Sequence, residues 1–120
     1  YLFTGLRLQR DNFMTTPEIK WRTPWRAIQF EWEIPGVQRR LDYEITSRHP
    51  LSGKGALAIG RRIDNDDILV VLNDGRYANV HLVWGREEPF PVKYPDWFAY
   101  GTLQDFEAAM NEDAQDYSDK

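Results

Sequence analysis

The side chains best suited to chemistry in this 120-residue chain are two histidines and one glycine-flanked lysine, for there is no cysteine. An imidazole can carry a proton near neutral pH and a lysine can stabilise charge on phosphate, so His81, His49 and Lys54 together would make a small hydrolase or nuclease site. That chemistry needs the three groups to converge within hydrogen-bond reach. Lys54 stands in Gly53-Lys54-Gly55. A phosphate-binding loop requires a Gly five positions before the Gly of its Gly-Lys pair, and a Ser or Thr after the Lys. Here Arg48 and Gly55 hold those places, and a glycine-rich turn accounts for the segment.

Asp64-Asn65-Asp66-Asp67 offers oxygens to a cation, but neither the alternate spacing nor the closing Glu of a calcium loop is present. Asn and Asp side chains mimic backbone turns, so the cluster reads as a strand-to-strand connection. Lack of thiolate removes disulfides and sulfur-built zinc sites. The reading therefore assigns no metal and no cofactor, and keeps His81, His49 and Lys54 as the catalytic candidates of an enzymatic alternative.

Aromatic residues gather late in the chain: Trp84, Phe90, Tyr94, Trp97, Phe98 and Tyr100, among Pro89, Pro91 and Pro95. Trp and Tyr are enriched as anchors at protein interfaces. Trp97, Phe98 and Tyr100 are thus the aromatic half of a candidate partner surface, with Asp105 and Glu112 of the last helix as its acidic half.

These residues need elements to position them. Pro35 suits a first helical turn, and Val37, Leu41 and Ile45 recur at four-residue spacing, which predicts a helix over 35–48, closed by His49-Pro50. Arg48 and His49 would face the negative end of its dipole. Strands are expected over 56–63, 68–73 and 77–84, with Asp74-Gly75 as a two-residue type I′ hairpin. In the third strand Tyr77, Asn79, His81 and Val83 share one face, opposite Ala78, Val80, Leu82 and Trp84. Ile28, Phe30 and Trp32 alternate with polar residues and favour a further strand over 27–33, with a helical turn over the same residues as the alternative. Trp97 to Tyr100 is expected as a short edge strand. Thr102 should cap a helix whose apolar stripe is Leu103, Phe106 and Met110, followed by a frayed acidic tail over 114–120. Residues 1–25 read as an irregular N-terminal segment.

One domain spans 1–120, since the chain is too short for two cores and its 42% hydrophobic content and 14% aromatic content suit a folded protein. The fold class is α+β, an antiparallel β-meander of three to five strands packed against two helices. The longest aliphatic run, Ile68 to Leu72, falls far short of the roughly 20 residues a membrane-spanning helix needs. No secretory signal is visible, and a cytoplasmic location is expected.

Net charge is −4 with a pI near 5.1. Phosphate neutralisation calls for clustered Lys and Arg, so nucleic acid is not the expected partner. Charge is uneven: Arg7, Arg10, Lys20, Arg22 and Arg26 make the N-terminal part basic, whereas Asp105, Glu107, Glu112, Asp113, Asp116 and Asp119 make the C-terminal end the acidic pole.

His49-Pro50-Leu51 with Gly53, then Asp66-Asp67-Ile68-Leu69, then Val80-His81-Leu82-Val83-Trp84, a Pro-rich stretch and an aromatic-rich final helix ending near Asp113 carry a likeness over about half the chain. In these residues the chain resembles a family of small, largely uncharacterised bacterial proteins. Val83 departs from the Thr expected there. The resemblance implies a compact α+β fold and a bacterial source, and supplies no activity. In type, the acidic, cysteine-free, Trp-rich build is similar to bacterial immunity proteins, which mask a toxin. The leading expectation is therefore a non-enzymatic protein that binds another protein, in an immunity or antitoxin role against a basic toxin. The alternatives are the small hydrolase or nuclease using His81 and His49, and an accessory module of a larger bacterial assembly.

Overall fold

The computed structural model describes residues 18–28, 33–84 and 94–119. Helix α1 (Glu33–Glu44) arises where Val37 and Leu41, four apart, are both buried, and Ile45 packs partly against the same cluster. It ends before Arg48 because the chain turns tightly, with Thr46 N–H donating to Glu44 and His49 N–H to Thr46. His49 consequently does not sit at the helix terminus but lies buried in the turn beyond it.

Five strands follow the chain order β1 (Trp25–Ala27), β2 (Leu57–Arg62), β3 (Asp67–Val71), β4 (Tyr77–His81) and β5 (Asp96–Gly101), and neighbours in space are neighbours in sequence. Every pairing is antiparallel. The result is an α+β fold with a five-stranded meander, as the alternating pattern predicts. The strand expected over 27–33 is met only at Ala27: Ile28 lies beyond β1 and Glu33 already opens α1, while residues 29–32 lie outside the described residues, as do most of the N-terminal segment and Phe90.

Side-chain alternation places one core on each face of the sheet. Ile68, Val70, Ala78, Val80 and Leu82 meet Val37 and Leu41 of α1. Leu69 and Tyr77 meet Phe106 and Met110 of α2 (Leu103–Ser118) on the other face. Because both faces are covered, the central strands read as nearly continuous apolar runs. Phe106 is fully buried, with the Trp25 and Tyr100 rings in edge contact at 5.3 and 5.1 Å. Trp21 lies directly on the backbone of Gly60, where an added Cβ would come within 2.4 Å of its ring.

The hairpin between β3 and β4 differs from expectation. Leu72 N–H donates to Arg76 and Gly75 N–H to Leu72, which makes a three-residue loop, with Gly75 supplying the positive φ of 89° that follows a type I turn. Asp74 turns back onto Arg76, accepting from its backbone N–H and its guanidinium, which favours the longer loop.

Thr102 caps α2 as expected: its hydroxyl accepts from Asp105 N–H while the Asp105 carboxylate accepts from Thr102 N–H. The helix does not fray at 114. Ala114, one turn beyond Met110, is buried, and the helix continues to Ser118.

Candidate functional site

Helix α2 begins where β5 ends, and its Asp113 reaches the opposite edge of the sheet on the same face, accepting from the Trp25 indole at 2.9 Å and pairing with Arg62 at 3.4 Å. It therefore crosses the sheet obliquely and, among the described residues, leaves one corner uncovered: the start of β3, the end of β4 and the start of β5. Register fills that corner. Asp67 and Asp96 stand on either side of His81, and Leu69 and Phe98 on either side of Asn79. Cross-strand partners share a face, so His81, Asp96 and Phe98 project together on the α2 side.

The corner is wired by hydrogen bonds. His81 Nδ1 lies 2.6 Å from Asp67 Oδ1. The buried Asn79 amide donates to Asp67 Oδ2 at 3.1 Å and to the Tyr100 hydroxyl at 3.0 Å, which uses both of its N–H groups. Burial pushes the Tyr100 phenol up to about 12, against the opposing pull of its Asn79 bond, and the nearby Asp113 and Asp67 carboxylates add to the rise.

A carboxylate only accepts, so the proton of the His81–Asp67 bond sits on Nδ1. In the neutral ring Nε2 then presents a lone pair, and its side chain is 47% exposed. Chemically this is an oriented proton acceptor. No described cation or hydroxyl nucleophile hydrogen-bonds to it, and no group of three or more His, Asp or Glu able to hold a metal occurs among the described residues.

The other catalytic candidates are not brought to this corner. His49 is buried with both ring nitrogens engaged: Nδ1 accepts from Leu51 N–H at 3.0 Å, so Nε2 carries the proton and donates to Pro95 carbonyl at 2.9 Å. It fastens the turn after α1 to the start of β5. Lys54 lies exposed at the opposite end of the sheet, where its carbonyl accepts from Asn73 N–H beyond the end of β3. The acidic turn is likewise occupied locally, with Asp64 gripping Arg62 through two contacts of 2.8 and 2.9 Å and Asn65 accepting from Asp67 N–H.

The partner-surface candidates divide. Phe98 is 53% exposed, its ring 5.0 Å from that of Tyr100. Trp97 turns the other way and packs partly against the α1-side core. Tyr100 is half-buried between Phe98 and Phe106. Asp105 serves the helix cap, and its bonds from Thr102 hold its carboxyl below the usual range. Glu112 is exposed beside Asn111, Gln115 and Asp116 in a shallow depression of the α2 surface.

Glu112 belongs to a larger pattern. From Tyr94 to Asp119 there is no Lys or Arg, while Asp96, Asp105, Glu107, Glu112, Asp113, Asp116 and Asp119 all carry carboxylates. Asp105, Glu112, Asp116 and Asp119 follow at spacings of seven, four and three, which lines them along one exposed stripe of α2 and its cap. Arg22 donates to the Asn111 side chain rather than to a carboxylate.

Asp67, Asn79 and Asp96 are the members of the corner that residue type alone does not single out. The available signal was the face shared by Asn79 and His81. No family model, curated protein or solved structure matches the chain.

Proposed function

We propose that this chain binds a basic protein partner stoichiometrically, using the outward face of α2 and the neighbouring Phe98 corner, with an immunity or antitoxin role as the most concrete form. The observation that carries the reading is the set Glu112, Asp116 and Asp119, exposed and without a cationic partner among the described residues. Two of the three sit at the last turn, which has no basic residue. Carboxylates there oppose the helix dipole and each other, costing on the order of 0.3–1 kcal/mol apiece. A partner's Lys and Arg side chains would reverse the sign of that interaction and speed association at low salt.

The reading is tested by using the chain and its Glu112→Gln/Asp116→Asn/Asp119→Asn variant as paired baits in lysate of the source organism. It expects one stoichiometric basic protein, held by the unaltered chain at low salt and reduced at least tenfold by the variant or by 0.5 M NaCl. A partner retained equally by both baits would contradict it.

A second reading, a small hydrolase, is favoured by the oriented His81–Asp67 pair alone. It requires His81→Ala to abolish turnover with the fold intact; the position of His49 removes the second imidazole from its mechanism.

A further inference from the structure

With the His81 ring neutral, the corner presents acceptors and no cation among the described residues. His81 Nε2 offers a lone pair, the exposed Asp96 carboxylate lies on the adjoining strand directly opposite, and the negative face of Phe98 lies one residue pair along. Neither His81 Nε2 nor the Asp96 carboxylate hydrogen-bonds to another described residue, and Phe98 is 53% exposed. Behind them the Asp67–Asn79–Tyr100 chain fixes the His81 tautomer and ring direction, and the Tyr100 ring packs against Phe98 in a T-shaped contact. The surface is thus set before anything binds, and its complement must be all donor, positively charged and flat enough to lie on an aromatic ring.

We propose that this corner receives an arginine side chain of the partner, its guanidinium stacked on Phe98 and its N–H groups shared between Asp96 and His81 Nε2. Guanidinium satisfies all three elements at once, because its five N–H donors spread in one plane while its face stacks on a ring. A lysine ammonium is a compact point charge, which could pair with Asp96 but does not present a plane to Phe98. The adjoining α2 stripe supplies the negative field that brings a basic surface to this position, so the inference rests on the partner-binding reading above.

With only two histidines in the chain, the test is clean. Ring ¹H–¹⁵N spectra at pH 8 would be followed while N-acetyl-arginine amide is added, with N-acetyl-lysine amide and NaCl at matched ionic strength as comparisons. The His81 cross-peaks and the Phe98 ring signals should move saturably with arginine, at least threefold more weakly with lysine, and not with NaCl. The His49 signals should stay in place. Phe98→Ala and Asp96→Asn, both at exposed positions, should each weaken the arginine response about threefold to tenfold. Responses equal for arginine and NaCl, or for arginine and lysine, or unchanged in both variants, would overturn the assignment. The Glu112→Gln/Asp116→Asn/Asp119→Asn variant should keep the arginine response. Loss of capture with the response intact therefore counts against the partner reading, while loss of the response with capture intact counts against this corner alone.

Discussion

Tyr100 joins the candidate site to the core, since its hydroxyl ends the chain from His81 and its ring packs on Phe106. A tyrosine in an unfolded chain ionises near 10. Folded, Tyr100 holds its proton to about 12. Between those values the unfolded state releases a proton that the folded state keeps, so this contribution to stability is complete below pH 10 and is lost as pH rises towards 12. A tyrosinate absorbance titration should show a step near 12 that Tyr100→Phe deletes; a titration identical in the two proteins would count against the buried phenol. At this scale residue type pointed to His81 but could not supply its partner. Asp67 faces His81 only because Leu72 pairs with Arg76 across a three-residue loop. A two-residue turn at Asp74-Gly75 would put Asn73 opposite Arg76 and bring Ile68 opposite His81. One residue of loop length decides whether the imidazole meets a carboxylate or a methyl group.

Elements were more legible than contacts. Period-two alternation located β2, β3 and β4, and the Thr102 cap with Phe106 and Met110 located α2, because those signals are local. The end of α1 and the length of α2 go with tertiary contacts instead: His49 reaching Pro95 across the fold, and Asp113 reaching Trp25 and Arg62 beside the buried Ala114. Trp97 and Phe98, read together as an aromatic surface, belong to opposite faces of β5, as strand geometry requires of consecutive residues. For α2 the unpaired carboxylates carry a direct expectation. Asp116→Asn should stabilise the protein by about 0.3–1 kcal/mol, seen as a higher urea midpoint at low salt, with the gain shrinking as salt is added. A lowered midpoint would show that Asp116 has a favourable partner. At the other helix, Glu33 in the first turn of α1 accepts from Arg26 at 2.5 Å and Arg61 at 3.2 Å, tying α1 to β1 and β2. The Arg26 bond, then its charge and that of Arg61, hold the Glu33 carboxyl below its ordinary value of 4.5. Its contribution is therefore full above that value and lost as pH falls below it. Urea midpoints measured between pH 6 and pH 3 should fall less steeply for Glu33→Gln than for the unaltered chain; parallel curves would remove Glu33 from the acid response.

Across the whole molecule, the sheet separates two surfaces of different character. On the α1 side Arg40 stacks on Tyr43 and Trp84 at 5.0 and 5.5 Å, and pairs with the buried Glu44, whose other oxygen accepts from Val83 N–H. That arrangement binds the exit of β4 to the helix. On the α2 side lie the carboxylate stripe and the open corner. The composition already indicated an acidic pole, and the fold class followed from the order of elements. Which carboxylates remain exposed was not legible, because Asp113 and Glu112 are adjacent in sequence yet only Asp113 turns inward to Trp25 and Arg62. No helix among the described residues is long and apolar enough to cross a membrane. The proposed docking face for a basic protein lies on the α2 side. The most direct measurement is site-specific photo-crosslinking in the source cells, with the photoreactive residue placed in turn at Gln115 and Phe98 on that side and at Arg39 on the α1 side. A shared basic protein should be crosslinked from 115 and 98 and not from 39. Crosslinks from 39 alone, or none from 115 and 98, would contradict it.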